Sequence, residues 1–142
     1  MTEREDVNEI SWSAAFAGFI ADFLFSEVVG IVAVVIMLSL QGINLDSEDI
    51  LPPDVLLVRQ IIGVLGAVVG GVTAGFLARR RGSLHGVLGS MIGLITTFGL
   101  ILLAGGAELT AGDVGFIVLN LVGAGYGGGV GERFRARHES DD

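Results

Sequence analysis

Apolar residues fall in four long blocks along the chain, separated by short polar breaks. The first block is entered at Ser11-Trp12-Ser13, where Trp12 suits an interfacial anchor. It runs to Leu40, with Asp22 and Glu27 as its only charges. The charge-free part, Val28 to Leu40, has 13 residues. A span needs about 20, so the first span is placed at 19–40 with Asp22 at the interface. Glu27 then lies about 12 Å along the axis from Phe19. Residues 41–54 hold Asn44, Asp46, Ser47 and Pro52-Pro53 and read as a loop. The second helix opens at Pro52 or Pro53, with Asp54 in its first turn, where a carboxylate favours the helix dipole. Its clean apolar span is 61–78, about 27 Å long, so it projects beyond the membrane and places Arg59 near the acids of its own loop. A third span covers 84–104 and ends at Gly105-Gly106; a fourth covers 114–130. The expected fold class is all-α: an integral membrane four-helix bundle of two hairpins in a single domain. Its outer loops are 41–60 and 105–113, its inner turn 79–83, and its polar tails 1–10 and 131–142.

Arginine gives the bundle a direction. Arg79, Arg80 and Arg81 lie between helices 2 and 3, Arg133, Arg135 and Arg137 follow helix 4, and Arg4 precedes helix 1. In a four-span chain these segments share one side, and the other side has only Arg59. The positive-inside rule therefore places both termini and the 2–3 turn in the cytoplasm of a cell-membrane protein. GVTAGFLARRR (71–81) also resembles GGGVGERFRAR (127–137) at a spacing of 56, a faint internal repeat. Two related hairpins in parallel orientation would follow. Glycine and arginine bias is the competing explanation.

Composition sharpens this picture. Half of the 142 residues are hydrophobic, and the mean hydropathy of +0.74 is too high for an ordinary soluble domain. With no cysteine there is no disulfide, thiolate metal site or cysteine nucleophile. Met1 to Glu9 is acidic apart from Arg4, unlike the basic start of a secretory signal, so the first block reads as a retained helix. All eight basic residues are arginine, against sixteen acids. Molar salt screens carboxylate repulsion to about 3 Å, so this balance fits a halophilic archaeal host.

The glycines form rows. In helix 2, Gly63, Ala67, Gly71 and Gly75 recur every four residues, and Gly66, Gly70, Ala74 and Ala78 form a second row beside them. Together they make one broad small-residue face. Helix 3 carries Gly89 and Gly93 in a ridge with His85 and Thr97, and helix 4 carries Asn120, Ala124, Gly128 and Gly131. Lipid supplies no hydrophobic drive for helix association, so close backbone approach must replace it. Packing within one chain and a homo-oligomer interface both use such rows, and the first is the simpler expectation.

Candidate chemistry is sparse. Gly123, Gly125 and Gly128 fit G-x-G-x-x-G, but that dinucleotide fingerprint needs a strand before it and a βαβ unit after it. Fourteen residues remain after Gly128. The expectation is a glycine-rich membrane helix, with no dinucleotide, cofactor or nucleic acid bound and no enzymatic activity. Asp22 and Glu27 are stronger leads, since a carboxylate at membrane depth costs about 2.5–3.5 kcal/mol. They lie about 140° apart on a helix and so form no dyad; Ser26 shares the face of Asp22. The structural reading pairs them with Arg79 to Arg81 or His85. The functional reading makes Glu27 a proton- or cation-binding carboxylate, with Asp22, His85 and Asn120 as lesser candidates. His85 and His138 are too far apart for a metal motif. Asn120 is expected to bond across helices. The three-arginine block falls short of the four to eight charges of a lipid-binding cluster.

The run GGVTAGFLARRRGSLHGVLGSMIGL (70–94) resembles the middle of small, glycine-rich, four-span membrane proteins of unknown function from bacteria and haloarchaea. Their GG-x-x-AG helix end, basic turn and HG opening recur here over about a quarter of the chain. That likeness implies a multi-pass membrane protein and lends no catalytic residue. Ser26-Glu27-Val28-Val29-Gly30 is similar to the essential-glutamate neighbourhood of the small multidrug-resistance transporters, which are also four-span. This second likeness would cast Glu27 as a coupling carboxylate. The chain departs from it in lacking an aromatic cage: its single tryptophan is Trp12 and its single tyrosine Tyr126.

Overall fold

The computed structural model describes residues 10–43, 51–106 and 110–140, and among these it is all-helical. The four helices are α1 (Trp12–Gln41), α2 (Pro53–Leu77), α3 (Gly82–Leu103) and α4 (Ala111–His138). Each is long and apolar enough to cross a membrane. At 1.5 Å per residue even α3 spans about 33 Å, against a hydrocarbon core of about 30 Å. Arg4, Asn44, Asp46, Ser47 and Glu108 lie outside the described residues.

Local chemistry sets the ends. Ser11 caps α1 through the Ala14 amide. Gly42, in the left-handed region at φ 68°, ends it. The Ile43 amide reaches back to the Leu38 carbonyl and that of Gly42 to Ser39, which closes a Schellman turn. Pro53 occupies the first position of α2, where a missing N–H costs nothing. Thr110 and Asp113 form a reciprocal capping box on α4. The helices outrun the apolar spans. α1 begins at Trp12, where Ser11-Trp12-Ser13 marks the helix start and ahead of the apolar span at Phe19, and the polar tail stays helical to His138.

α2 and α3 each touch the other three helices, α2 makes the two most extensive contacts, with α4 and α1, and among the described residues α1 and α4 do not meet. One end of the bundle gathers the start of α1, the end of α2, the start of α3 and the end of α4. We call it the arginine end. α3 buries residues only in its first half and α4 only in its second, so these two helices pack tightly there and their other halves lie open.

The parallel pair α2 and α4 meets in a locally twofold contact. Gly71 lies against the Ala124 carbonyl and Gly127 against that of Val68, while Gly75 lies against Gly128 and Gly131 against Val72. The spacing of 56 carries each contact onto its mate, so the repeat read in the sequence coincides with this crossing. A methyl group at any of the four glycines would overlap backbone. The outer helices do not share the symmetry, since α3 touches α2 whereas α1 is clear of α4. Elsewhere Gly89 faces Ala15 and Gly93 faces the Phe19 ring, and Ala67 is buried. Gly63 departs from its row: nothing lies within 4 Å of the Cβ position, because the close glycine contact of that row with α4 comes about two turns later, at Gly71.

Candidate functional site

Asp22 is the polar residue that the fold treats most unusually. Ten residues separate it from Trp12, about 15 Å along the axis of α1. Its Oδ1 accepts a hydrogen bond from the Ser26 hydroxyl one turn on, at 3.0 Å. Both side chains face α2 where Gly66 and Gly70 remove bulk. A Cβ at Gly66 would fall 2.6 Å from Asp22 Oδ1, and one at Gly70 would fall 2.7 Å from Asp22 Cβ. Two glycines one turn apart thus form a saddle for an Asp–Ser pair one turn apart. Among the described residues no basic side chain pairs with Asp22, so the expected partners, Arg79 to Arg81 and His85, are not its partners. The reason is axial distance: those residues sit at the arginine end.

Glu27 turns to the side of the bundle. Its Oε1 lies 4.0 Å from Arg59, and the arginine and glutamate side chains are 59% and 44% exposed. Arg59 thus approaches α1, while the loop acids Asp46, Glu48 and Asp49 lie outside the described residues. Asp54 of that loop instead accepts a hydrogen bond from Gln41 at 2.7 Å. Asn120 does not bond across helices: its Nδ2 donates to the Phe116 carbonyl in its own helix, at 2.8 Å. Asp22, Glu27, His85 and Asn120 therefore form no common site. Among the described residues no three His, Asp or Glu side chains gather as a metal site would require.

His85 and the arginines belong to a polar knot at the arginine end. His85 is 2% exposed. Its Nε2 accepts from the Ser11 amide at 2.9 Å, and its Nδ1 lies 3.0 Å from the Arg81 carbonyl. Those two partners assign the neutral tautomer that carries its proton on Nδ1. Arg135 reaches from α4 and donates through Nη1 to the Ala78 carbonyl and through Nη2 to the Arg79 carbonyl, both at 2.6 Å. Glu132, one turn earlier, accepts from the Gly82 amide at 2.7 Å. The two carbonyls just past the end of α2 and the first amide of α3 are thereby satisfied by α4 side chains. The sequence reading missed Ser11 and Glu132 in these roles. A serine before an apolar run signals a cap, but no local pattern pairs Glu132 with an amide 50 residues away.

The G-x-G-x-x-G glycines lie inside α4, with Gly123 against Val68, Gly125 against Val87 and Gly128 against Gly82. Helix surrounds the pattern on both sides, and no strand precedes it. Comparison with protein-family models, curated proteins and solved structures finds no match.

Proposed function

We propose that this chain is a structural or accessory protein of the cell membrane, a four-span bundle held by glycine contacts and without enzymatic activity. The observation that carries this reading is the backbone-on-backbone crossing of α2 with α4, which fills the bundle beside α2. Glu27 supports it, because a carboxylate on the flank beside Arg59 lines no interior path. By arginine count, both termini face the cytoplasm. The acidic, lysine-free composition assigns the protein to a salty, haloarchaeal cytoplasm, and the small-residue rows serve packing within one chain before any homo-oligomer.

Proton- or cation-coupled transport is the second reading, and the geometry moves it from Glu27 to Asp22. A carboxylate within an apolar span whose described partner is one hydroxyl is the kind of group that marks ion pathways. Flux in proteoliposomes at high salt separates the two readings. The accessory role predicts no proton or cation flux from the parent chain, and none from Asp22→Asn or Glu27→Gln. Flux that Asp22→Asn abolishes would replace the accessory role with transport.

A further inference from the structure

The ring of His85 is buried, and both of its nitrogens are engaged. The Ser11 amide can only donate, so Nε2 must be a bare acceptor, and the single ring proton sits on Nδ1, towards the Arg81 carbonyl. That carbonyl also accepts from the amides of Leu84 and His85 at the start of α3. The ring is thus anchored to its own turn through Nδ1 and reaches α1 through Nε2. Small groups complete the hold on the start of α1. Ala14 and Ala15 are buried, and Gly89 of α3 lies against the Ala15 carbonyl. Of the helix pairs that meet, α1 and α3 make the least extensive contact.

We propose that His85 is an acid-sensitive latch between α3 and the start of α1. Protonation adds a hydrogen to Nε2, the ring atom that meets Ser11. Two N–H donors then face each other across 2.9 Å, and the hydrogen bond turns into a repulsion. Turning the ring over does not restore it, because in the cation both nitrogens are donors. Nδ1 keeps its bond to the Arg81 carbonyl, so the ring stays with α3 and α1 lets go. The charged groups at this end are otherwise occupied or are cations themselves. Glu132 of α4 holds the Gly82 amide, and Arg135 spends its fork on the Ala78 and Arg79 carbonyls. Arg79, Arg80 and Arg81 form the turn between α2 and α3. α1 brings no charge before Asp22, and Glu3, Arg4, Glu5, Asp6 and Glu9 lie outside the described residues. Acid at the arginine end therefore frees residues 11–15 from α3 and uncovers Gly89. The glycine crossing of α2 with α4 contains no titratable side chain and stays closed. The latch rests on the fold alone, whether the protein is accessory or a transporter.

The test is nuclear magnetic resonance of the full chain in detergent micelles, with His138→Gln as the background so that one imidazole is observed. Spectra are taken from about pH 8 to about pH 5, the span over which histidine ordinarily changes charge. Imidazole nitrogen shifts read the tautomer and protonation of His85. Amide exchange, corrected for the intrinsic rate at each pH, reads the hold on residues 11–15. At the alkaline end the ring is expected to be neutral with its proton on Nδ1. As it takes the second proton, protection at 11–15 is expected to fall by about tenfold or more, while protection at the α2–α4 crossing is unchanged. His85→Gln, which offers Ser11 a carbonyl that does not titrate, and His85→Ala are both expected to remove the pH dependence, with more protection left in the first. A neutral ring carrying its proton on Nε2 would overturn the proposal. So would a ring that protonates while 11–15 keep their protection, a ring that stays neutral throughout, or a loss with acid that His85→Gln shares.

Discussion

The crossing of α3, α4 and α2 at Gly128 offers the sharpest energetic test of the fold. A Cβ at Gly128 falls 2.9 Å from Ser83 Cα and closer still to the Gly82 carbonyl. Ordinary contact begins near 3.4 Å, so α4 must move away from α3. It cannot move freely, because the Gly128 carbonyl is itself the surface that Gly75 of α2 packs against. The obstacles are backbone atoms on both sides, with no flexible side chain to give way. Overpacking of this kind costs about 1–3 kcal/mol, and a site closed on two sides belongs in the upper half of that range. Gly128→Ala should therefore lower the folding equilibrium by roughly 30- to 150-fold. Gly63→Ala is the matched control. No atom lies within 4 Å of its Cβ position, and it gains up to about 1 kcal/mol of helix propensity. Equilibrium unfolding in mixed micelles, titrated with a denaturing detergent and followed by circular dichroism, measures both. Equal midpoints for the two variants would refute the argument that backbone contact through glycine holds the helices together.

Two further outcomes follow from the polar contacts. His85→Ala should destabilise the bundle by about 1–3 kcal/mol, because it strands the Ser11 amide, whereas the Arg81 carbonyl keeps its bonds from the amides of residues 84 and 85. Hydrogen exchange should rise first at residues 11–15, where α1 loses its tie to α3. Glu27→Gln should change stability by less than about 0.5 kcal/mol, since its pair with Arg59 is long and exposed on both sides. The same unfolding titration checks this, and a loss of several kcal/mol would place Glu27 in a buried contact instead.

Four helices were legible in the blocks of apolar residues, because each block is long and each break carries turn or capping residues. Helix ends were less legible. Hydropathy reports the apolar run, whereas Ser11 and the capping box of Thr110 act outside it. The two carboxylates of α1 stood out as charges, but periodicity alone does not say which face turns inward. That choice is made by α2, whose Gly66 and Gly70 leave room opposite Asp22 and not opposite Glu27. Asn120 illustrates the same limit. A polar side chain in an apolar span must find a partner, and its own Phe116 carbonyl proved nearer than another helix. The reach of Arg135 to the α2–α3 turn was hidden because it depends on a contact between residues 56 apart.

The caps supplied by α4 also bear on how the chain is made. Synthesis delivers the α2–α3 turn first, with the Ala78 and Arg79 carbonyls and the Gly82 amide exposed at the membrane border. Their partners, Glu132 and Arg135, emerge at least 50 residues later. Until then water must serve those groups, and the central hairpin is an unfinished intermediate. Closure waits for the last helix to insert. A ribosome that stops short of Glu132 thus releases the α2–α3 hairpin without its clasp, and a protease at the membrane surface tells that product from the finished protein by the open turn alone.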